Sequence, residues 1–353
     1  MTSQRLEEIL AGFERASVAV VGDFFLDKYL ETDPALSERS LETGLEARQA
    51  VEVRCQPGAA GTVVANLRAL GVGRVVCIGF VGDDGEGFEL ARGLRALGAD
   101  ANGVVVRGDR FTPTYRKPMV RLPDGRVREL ERLDTKNRDP VPAALDEALV
   151  ARVRELASRV DAVIVQDQVE EPECGVITAR MRKALASLAE AHPKVVWFGD
   201  SRVRVGEFRN LILKPNRAEC CQAVHPDAPV HAVEEAKQCA AALAARARRP
   251  VFLTLGADGM AVAAPDSVQT IPTVPLSSEI DIVGAGDSAT AGIVSALCAG
   301  ATLEEAGVIG NIVASVSIRQ IGTTGVATRE QVRERFAAHE EVWRVLPPRA
   351  LLP

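Results

Sequence analysis

The sequence predicts an α/β fold, a doubly wound and mostly parallel sheet with a small β-sheet lid, and three observations support this. Short apolar runs recur along the chain, each closing on glycine, asparagine or aspartate. Helical stretches separate them at the spacing of crossover connections. Two polar, charge-rich segments interrupt the rhythm, and one of them holds a hairpin signature.

The first element is an amphipathic helix over residues 4–15, followed by SVAVVGD, a short buried strand ending on Gly22-Asp23. The same grammar returns in RVVCIGFVGDD, DAVIVQD, KVVWFGD, NLILKPN and RPVFLTLG, which end at Asp83-Asp84, Asp167, Asp200, Asn216 and Gly256. Helical segments at 59–70, 86–97, 141–158, 172–191 and 231–247 fall between most of them. In such sheets ligands bind beyond the C-terminal strand ends, where these acids and amides stand. A turn residue or helix cap accounts for any one of them; the repetition points to a site. Residues 31–53 and 109–132 are the interruptions, and PDG between YRKPMV and RVRELE marks a hairpin. Paired, the two segments would form a lid that excludes water and orders a substrate; two ordinary surface loops is the plainer alternative. Beyond about residue 300 come two more helices, LEEAGVIGNIVASVSIRQI and TREQVRERFAAHEEVW, and an extended tail, LPPRALLP. The expected division is one domain over 1–330, including the lid, with a C-terminal helix and tail over 331–353.

A chain of 353 residues, 47% of them hydrophobic, can bury a large core. Its net charge of −6 gives no electrostatic reason to bind nucleic acid or an anionic membrane. Seven cysteines, an odd number scattered through apolar stretches, do not make a disulfide framework. With no signal peptide in view, the expected setting is cytoplasmic. The four histidines show no metal-ligand spacing, and no apolar run reaches the ~18–20 residues that span a bilayer.

The strongest chemical signal is Asp281-Ile-Val-Gly-Ala-Gly-Asp-Ser-Ala-Thr-Ala-Gly292. Gly284, Ala285 and Gly286 are small enough for backbone to approach a bound group, and the apolar SATAGIVSALCAG that follows is helix-compatible. These small residues would sit at a helix N-terminus, where free N–H groups and the positive dipole end favour an anion. Asp287 in the same first turn would repel a phosphate, so a site holding both uses the acid on something beside the anion. Three readings compete. One is a plain helix start with an N-terminal acid. Another is a dinucleotide fingerprint, Gly284-x-Gly286-x-x-Ala289, although the preceding PLSSEIDIV makes a poor buried strand. The third is an anion cradle for phosphoryl transfer with Asp287 as base.

With VVGDFFLDKYL, PGAAGTVVANLRALG, ERLDT, LILKPNRAE and GAGDSATAG in this order, the chain resembles the ribokinase-like (PfkB) family of carbohydrate kinases from about Val18 to Gly325. Within that family it is most similar to the heptose 7-phosphate kinase domain of the ADP-heptose synthase type, without the nucleotidyltransferase domain that often follows there. The resemblance implies a kinase that takes ATP as co-substrate, requires Mg²⁺, uses K⁺ in some members, and phosphorylates a sugar or sugar phosphate. It makes Asp287 the general base and the amides of Gly284, Ala285, Gly286 and Asp287 the anion hole. Asn216 and Glu219 match the N-x-x-E element, with Glu219 on Mg²⁺; a capping box explains the same pair, and the two readings coexist. Thr254, Gly256 and Gly259 match the nucleotide loop, Asn311 and Gly322 would line the adenine side, and Asp281 with Val283 would sit at the monovalent cation. On the acceptor side the resemblance points to Asp23, Asp27, Gly58, Thr62 and Arg132. Lys28, Arg116, Lys117 and Arg121 add positive charge that suits a phosphorylated sugar. Lid pairing in the family makes a homodimer the expectation, through Phe111, Val120 and Leu122.

The chain departs from the family at Gly58-Ala59, where two glycines are usual, and at Thr62, where an asparagine touches the sugar. Asn66, one turn on, is a substitute amide. The departures leave ribose, fructose or a nucleoside open as acceptors. A nicotinamide oxidoreductase and a non-catalytic nucleotide or sugar sensor are the rival classes.

Overall fold

The computed structural model describes residues 1–122, 125–226, 232–274 and 279–343. The first helix, α1 (Ser3–Gly12), is capped by the Thr2 hydroxyl, which accepts from the Arg5 amide, and buries Leu6, Ile9 and Leu10. The strand β1 (Ser17–Gly22) lies inside the main sheet, third from one edge, and β2 (Phe24–Thr32) turns out of it into a second sheet. Two short strands, β3 (Glu38–Arg39) and β4 (Glu46–Ala47), pair with each other before β5 (Ala50–Ala59) returns along β2. Next, α2 (Ala60–Ala69), β6 (Arg74–Gly82), α3 (Gly85–Ala96) and β7 (Asp100–Arg107) complete one edge of the main sheet. The small sheet is completed by β8 (Thr114–Arg121), β9 (Val127–Glu129) and β10 (Leu133–Thr135).

The chain then alternates through α4 (Ala143–Leu156), β11 (Ala162–Asp167), α5 (Ala179–Ala191), β12 (Val196–Ser201) and β13 (Ile212–Leu213). After these come α6 (Arg217–Val224), α7 (Val233–Ala247), β14 (Val251–Thr254) and the hairpin β15 (Met260–Ala264) and β16 (Ser267–Ile271). Four helices follow, α8 (Ala285–Cys298), α9 (Leu303–Ser317), α10 (Arg329–Ala337) and α11 (Glu340–Trp343).

The nine-stranded main sheet runs β16-β15-β14-β13-β12-β11-β1-β6-β7; it is antiparallel across β14, β15 and β16 and parallel elsewhere. Side chains alternate across a strand, so one set (Val18, Val20, Ile164, Phe198) packs under α1, α2, α8 and α9. The other set (Val21, Val163, Val165) packs under α4, α5 and α7. Both faces are therefore covered, which is why the central strands read as continuous apolar runs. The described cysteines are all free thiols. Among the described residues no helix is long and apolar enough to cross a membrane.

The small sheet has the order β10-β8-β2-β5, with β9 added on β8. Its pairing begins at Phe24↔Ala59, earlier than the sequence suggested, and most of 33–49 lies outside it. Pro123 and Asp124 of the hairpin signature lie outside the described residues, but Arg121 pairs Val127 across it and the Leu122 amide donates to Arg126 O at 2.8 Å. The helix α5 begins at Ala179 rather than 172, because residues 168–176 are drawn around Asp23. The tail LPPRALLP also lies outside the described residues.

Candidate active site

The C-terminal ends of β12, β13 and β14 and the start of α8 enclose a cleft of about 950 Å³. Its walls include Asn216, Glu219, Thr254, Gly256, Gly259, Asn311 and the whole Gly284–Asp287 turn. Gly284 caps α8 at φ +78°, where a side chain would also meet Thr324 Cγ2 at 2.6 Å. The Ala285 amide closes a turn onto Ile282 O, and the amides of Gly286 and Asp287 begin the helix, where no intrahelical acceptor exists. These N–H groups and the helix dipole make the turn an anion site.

Burial, with Asp200 nearby, pushes the Asp287 carboxyl up to about 7; Lys214 and Arg202 pull the other way, and Asp27 adds to the rise. Lys214 is 3% exposed and its Nζ lies 2.9 Å from Asp200 Oδ2. Burial works against its charge, but Asp200, Glu219 and Asp287 outweigh that and hold its pKa above the ordinary lysine value. Lys214 and Arg202 are not expected as site residues from the sequence, and Asp200 reads there only as one of the strand-end acids; all three line the cleft.

Asn216 and Glu219 form a capping box: Asn216 Oδ1 accepts from the Glu219 amide at 2.9 Å, and Glu219 Oε2 accepts from the Asn216 amide at 2.7 Å. Burial and then Asp200 push Glu219 up to about 7. Acids crowded to this degree suit a divalent cation, and Mg²⁺ needs only one or two carboxylates because it keeps several waters. On the opposite wall Gly256 (φ +64°) and Gly259 (φ +85°) turn the loop after β14. A side chain at Gly259 would stand 2.4 Å from Ile271 O. Asn311 Nδ2 donates to Pro272 O at 3.0 Å and fixes the end of β16.

Several expectations are corrected. Gly322 does not line the cleft; its amide donates to Asp281 Oδ2 at 3.3 Å, while Oδ1 accepts from the Val283 amide at 3.1 Å. These bonds engage the Asp281 carboxylate, so a monovalent cation beside Asp281 and Val283 would be held by backbone carbonyls. Asp23 is 3% exposed, and its two oxygens accept from the amides of Gln168, Val169 and Val176 at 2.7–3.0 Å. It organises the 168–176 loop and is not presented to an acceptor. Arg132 is exposed, stacked 4.3 Å over the Tyr115 ring and paired with Asp134 at 2.7 Å. Asn66 is no substitute amide: it is fully buried and its Nδ2 donates to Thr62 O and Gly325 O.

Asp27 and Gly58 do meet, across β2 and β5: a side chain on Gly58 would strike Asp27 Oδ2 at 2.5 Å. Thr62 packs against the α8 cap, its Cγ2 3.3 Å from where a Gly284 side chain would begin. The basic lid residues are paired, Lys28 and Arg116 with Glu86, Arg121 with Glu31, and Lys117 with Asp27. The dinucleotide reading fails on context, since residues 279–284 carry no strand.

The model of the pfkB family carbohydrate kinases matches residues 18–329. A bifunctional protein HldE from Geobacter metallireducens is 28% identical over 348 residues, 97% of this chain and 67% of that one. Its counterpart from Shewanella amazonensis is 31% identical over 338 residues, 94% of this chain and 66% of that one. The chain thus spans about two thirds of the length of these relatives. Among solved structures, Arabidopsis thaliana ribokinase complexed with ribose and ATP superposes with a TM-score of 0.64 at 19% identity, covering 94% of this chain and 99% of that one. Escherichia coli phosphofructokinase-2 in complex with potassium gives a TM-score of 0.68 at 16% identity, over 92% and 98%.

Proposed function

We propose, from the premise that this chain belongs to the pfkB family of carbohydrate kinases, that Asp287 is the general base of an ATP-dependent transfer to a heptose 7-phosphate-like sugar phosphate. The observation that carries this is the first turn of α8, where a carboxyl stands in the same turn as amides able to hold an anion. The acceptor hydroxyl gives its proton to Asp287 as its oxygen attacks the γ-phosphorus, and the bond to the β-phosphate oxygen breaks in line. The amides of Gly286 and Asp287 hold the phosphoryl oxygens as charge moves to the leaving group. Asn216, Thr254, Gly256, Gly259 and Asn311 form the nucleotide walls. Glu219 would hold Mg²⁺ beside the nucleotide phosphates, where the ion would supply positive charge against their negative charge. K⁺ beside Asp281 and Val283 is part of the same reading.

The HldE relatives and the charged lid favour a phosphorylated acceptor, while Thr62 in place of asparagine keeps ribose, fructose or a nucleoside open as a second reading. The kinase unit is taken as 1–330, with 331–353 as a C-terminal helix and tail whose Phe336 and Trp343 pack into the same core. Lid-to-lid dimerisation is supported by the exposed Phe111, Val51, Val53, Val127 and Leu133, whereas Val120 is only 6% exposed.

The test is ATP turnover with Mg²⁺ and K⁺ against free sugars, sugar phosphates and nucleosides. Stimulation by a heptose or hexose phosphate alone supports the reading. Stimulation by free ribose or a nucleoside instead moves the acceptor to the second reading. ATP binding with no stimulation by any acceptor favours the sensor.

A further inference from the structure

We propose that the Lys214 ammonium, held in place by Asp200, completes the anion site at the start of α8 and contacts the transferring phosphoryl group. The inference rests on the kinase reading above and extends it to a residue on a different strand.

Parallel pairing of β12 and β13 matches Phe198 with Ile212 and Gly199 with Leu213, so one step further Asp200 and Lys214 emerge side by side at the sheet edge. The Lys214 amide donates to Gly199 O at 3.0 Å and locks this register. From there the side chain reaches the first turn of α8. A side chain built on Gly286 would begin 3.3 Å from Lys214 Nζ, so glycine at that position leaves room for the ammonium.

Lys214 is 3% exposed, and among the described residues Asp200 is its one ion-pair partner, at 2.9 Å. An ammonium carries three donors, and a buried one with donors left over is costly unless an anion arrives. Lys214 Nζ borders the same cleft as the unpaired first-turn amides. A purely structural pair tying β12 to β13 would have no need to face the cleft.

In the transfer, the acceptor oxygen bonds to the γ-phosphorus and the bond to the bridging oxygen breaks. The electron pair leaves on the nucleoside diphosphate, and the acceptor proton passes to Asp287. Lys214 gives up no proton; it neutralises charge on the equatorial and bridging oxygens. Asp200 acts through Lys214 and is a positioning residue.

The test compares Lys214→Met, Lys214→Ala and Asp200→Asn with the wild type, reading kcat, acceptor KM, nucleotide Kd and the acid limb of the pH profile. Both lysine variants are expected to lose about 10²–10³-fold in kcat with acceptor KM little changed. The charged groups facing Asp287 are Asp200 and Arg202 from the end of β12, Lys214 from the end of β13, and Asp27 from the lid. Loss of the lysine charge removes support for ionised Asp287 and moves the acid limb up. Asp200→Asn removes a repelling charge and moves it down. The opposite displacements report the two charges beside Asp287, while the loss of kcat in a folded lysine variant with nucleotide Kd held reports the contact with the phosphoryl group. Lys214→Met keeps the packing volume where Lys214→Ala fails to fold.

Wild-type kcat in a folded lysine variant, or displacement of both limbs in one direction, overturns the inference. Asp287→Asn, run alongside, separates the two claims. If it is inactive while Lys214→Met is normal, only the lysine's role falls. If it is active, the base assignment falls.

Discussion

Asp27 Oδ1 and Lys117 Nζ lie 2.8 Å apart between neighbouring lid strands, with side chains only 9% and 10% exposed. Lys117 also stands 4.8 Å over the Tyr29 ring, which carries Arg54 at 4.8 Å as well. Removing one member strands a buried charge. Asp27→Asn and Lys117→Met are each expected to cost about 3–5 kcal/mol by chemical denaturation. The double variant should cost less than their sum, by about 1–3 kcal/mol. Additive losses would mean the two groups do not interact.

Ala59 sits at φ 52°, ψ −119°, a conformation that only glycine adopts without strain, between β5 and α2. Ala59→Gly is expected to relieve that strain and raise stability by about 1 kcal/mol, beyond the entropy glycine costs in the unfolded chain. Gly58→Ala should act differently. Its added carbon would displace Asp27 Oδ2, so acceptor KM should rise while nucleotide Kd holds. Equal losses in both ligands would place the Asp27 contact elsewhere.

Asp287 must be ionised to take a proton, and burial with the Asp200 charge holds its pKa at about 7. Turnover per acceptor encounter, kcat/KM, should therefore fall tenfold per unit as pH drops below about 7. A profile flat down to pH 5 would show that no group of raised pKa controls the reaction.

Much of this was legible in the sequence, for local reasons. Strands such as Val18–Val21 and Ala162–Val165 are buried on both faces, so each reads as an apolar run. The Asn216–Glu219 capping box and the Gly284–Asp287 turn are contained within a few residues. The edge strand Asp100–Arg107 was missed because it is only partly buried and opens on Asp-Ala-Asn-Gly. Asp23 was misplaced because its partners lie in a loop some 145 residues on, and no local pattern tells an acid facing a ligand from one satisfied by backbone amides. Lys214 and Asp200 meet only through sheet register, which a linear reading does not contain.

Glu219 and Asp287 both have folded pKa values of about 7, above the ordinary carboxylate range. The sign follows from linkage: the stability they contribute is fully present below their unfolded pKa and is lost as pH rises through about 7. A magnesium nucleotide places positive charge beside Glu219 and should restore part of that loss. The rise in thermal midpoint on adding Mg²⁺ and ADP is expected to be larger at pH 8 than at pH 6. A larger rise at pH 6 would contradict the site.

The most direct measurement is single-turnover transfer from ATP by Asp287→Asn beside the wild type, with the most effective acceptor and with nucleotide affinity measured in parallel. The expected result is unchanged fold and nucleotide Kd with transfer slowed about 10²–10⁴-fold. Near-wild-type transfer by that variant would contradict Asp287 as the base.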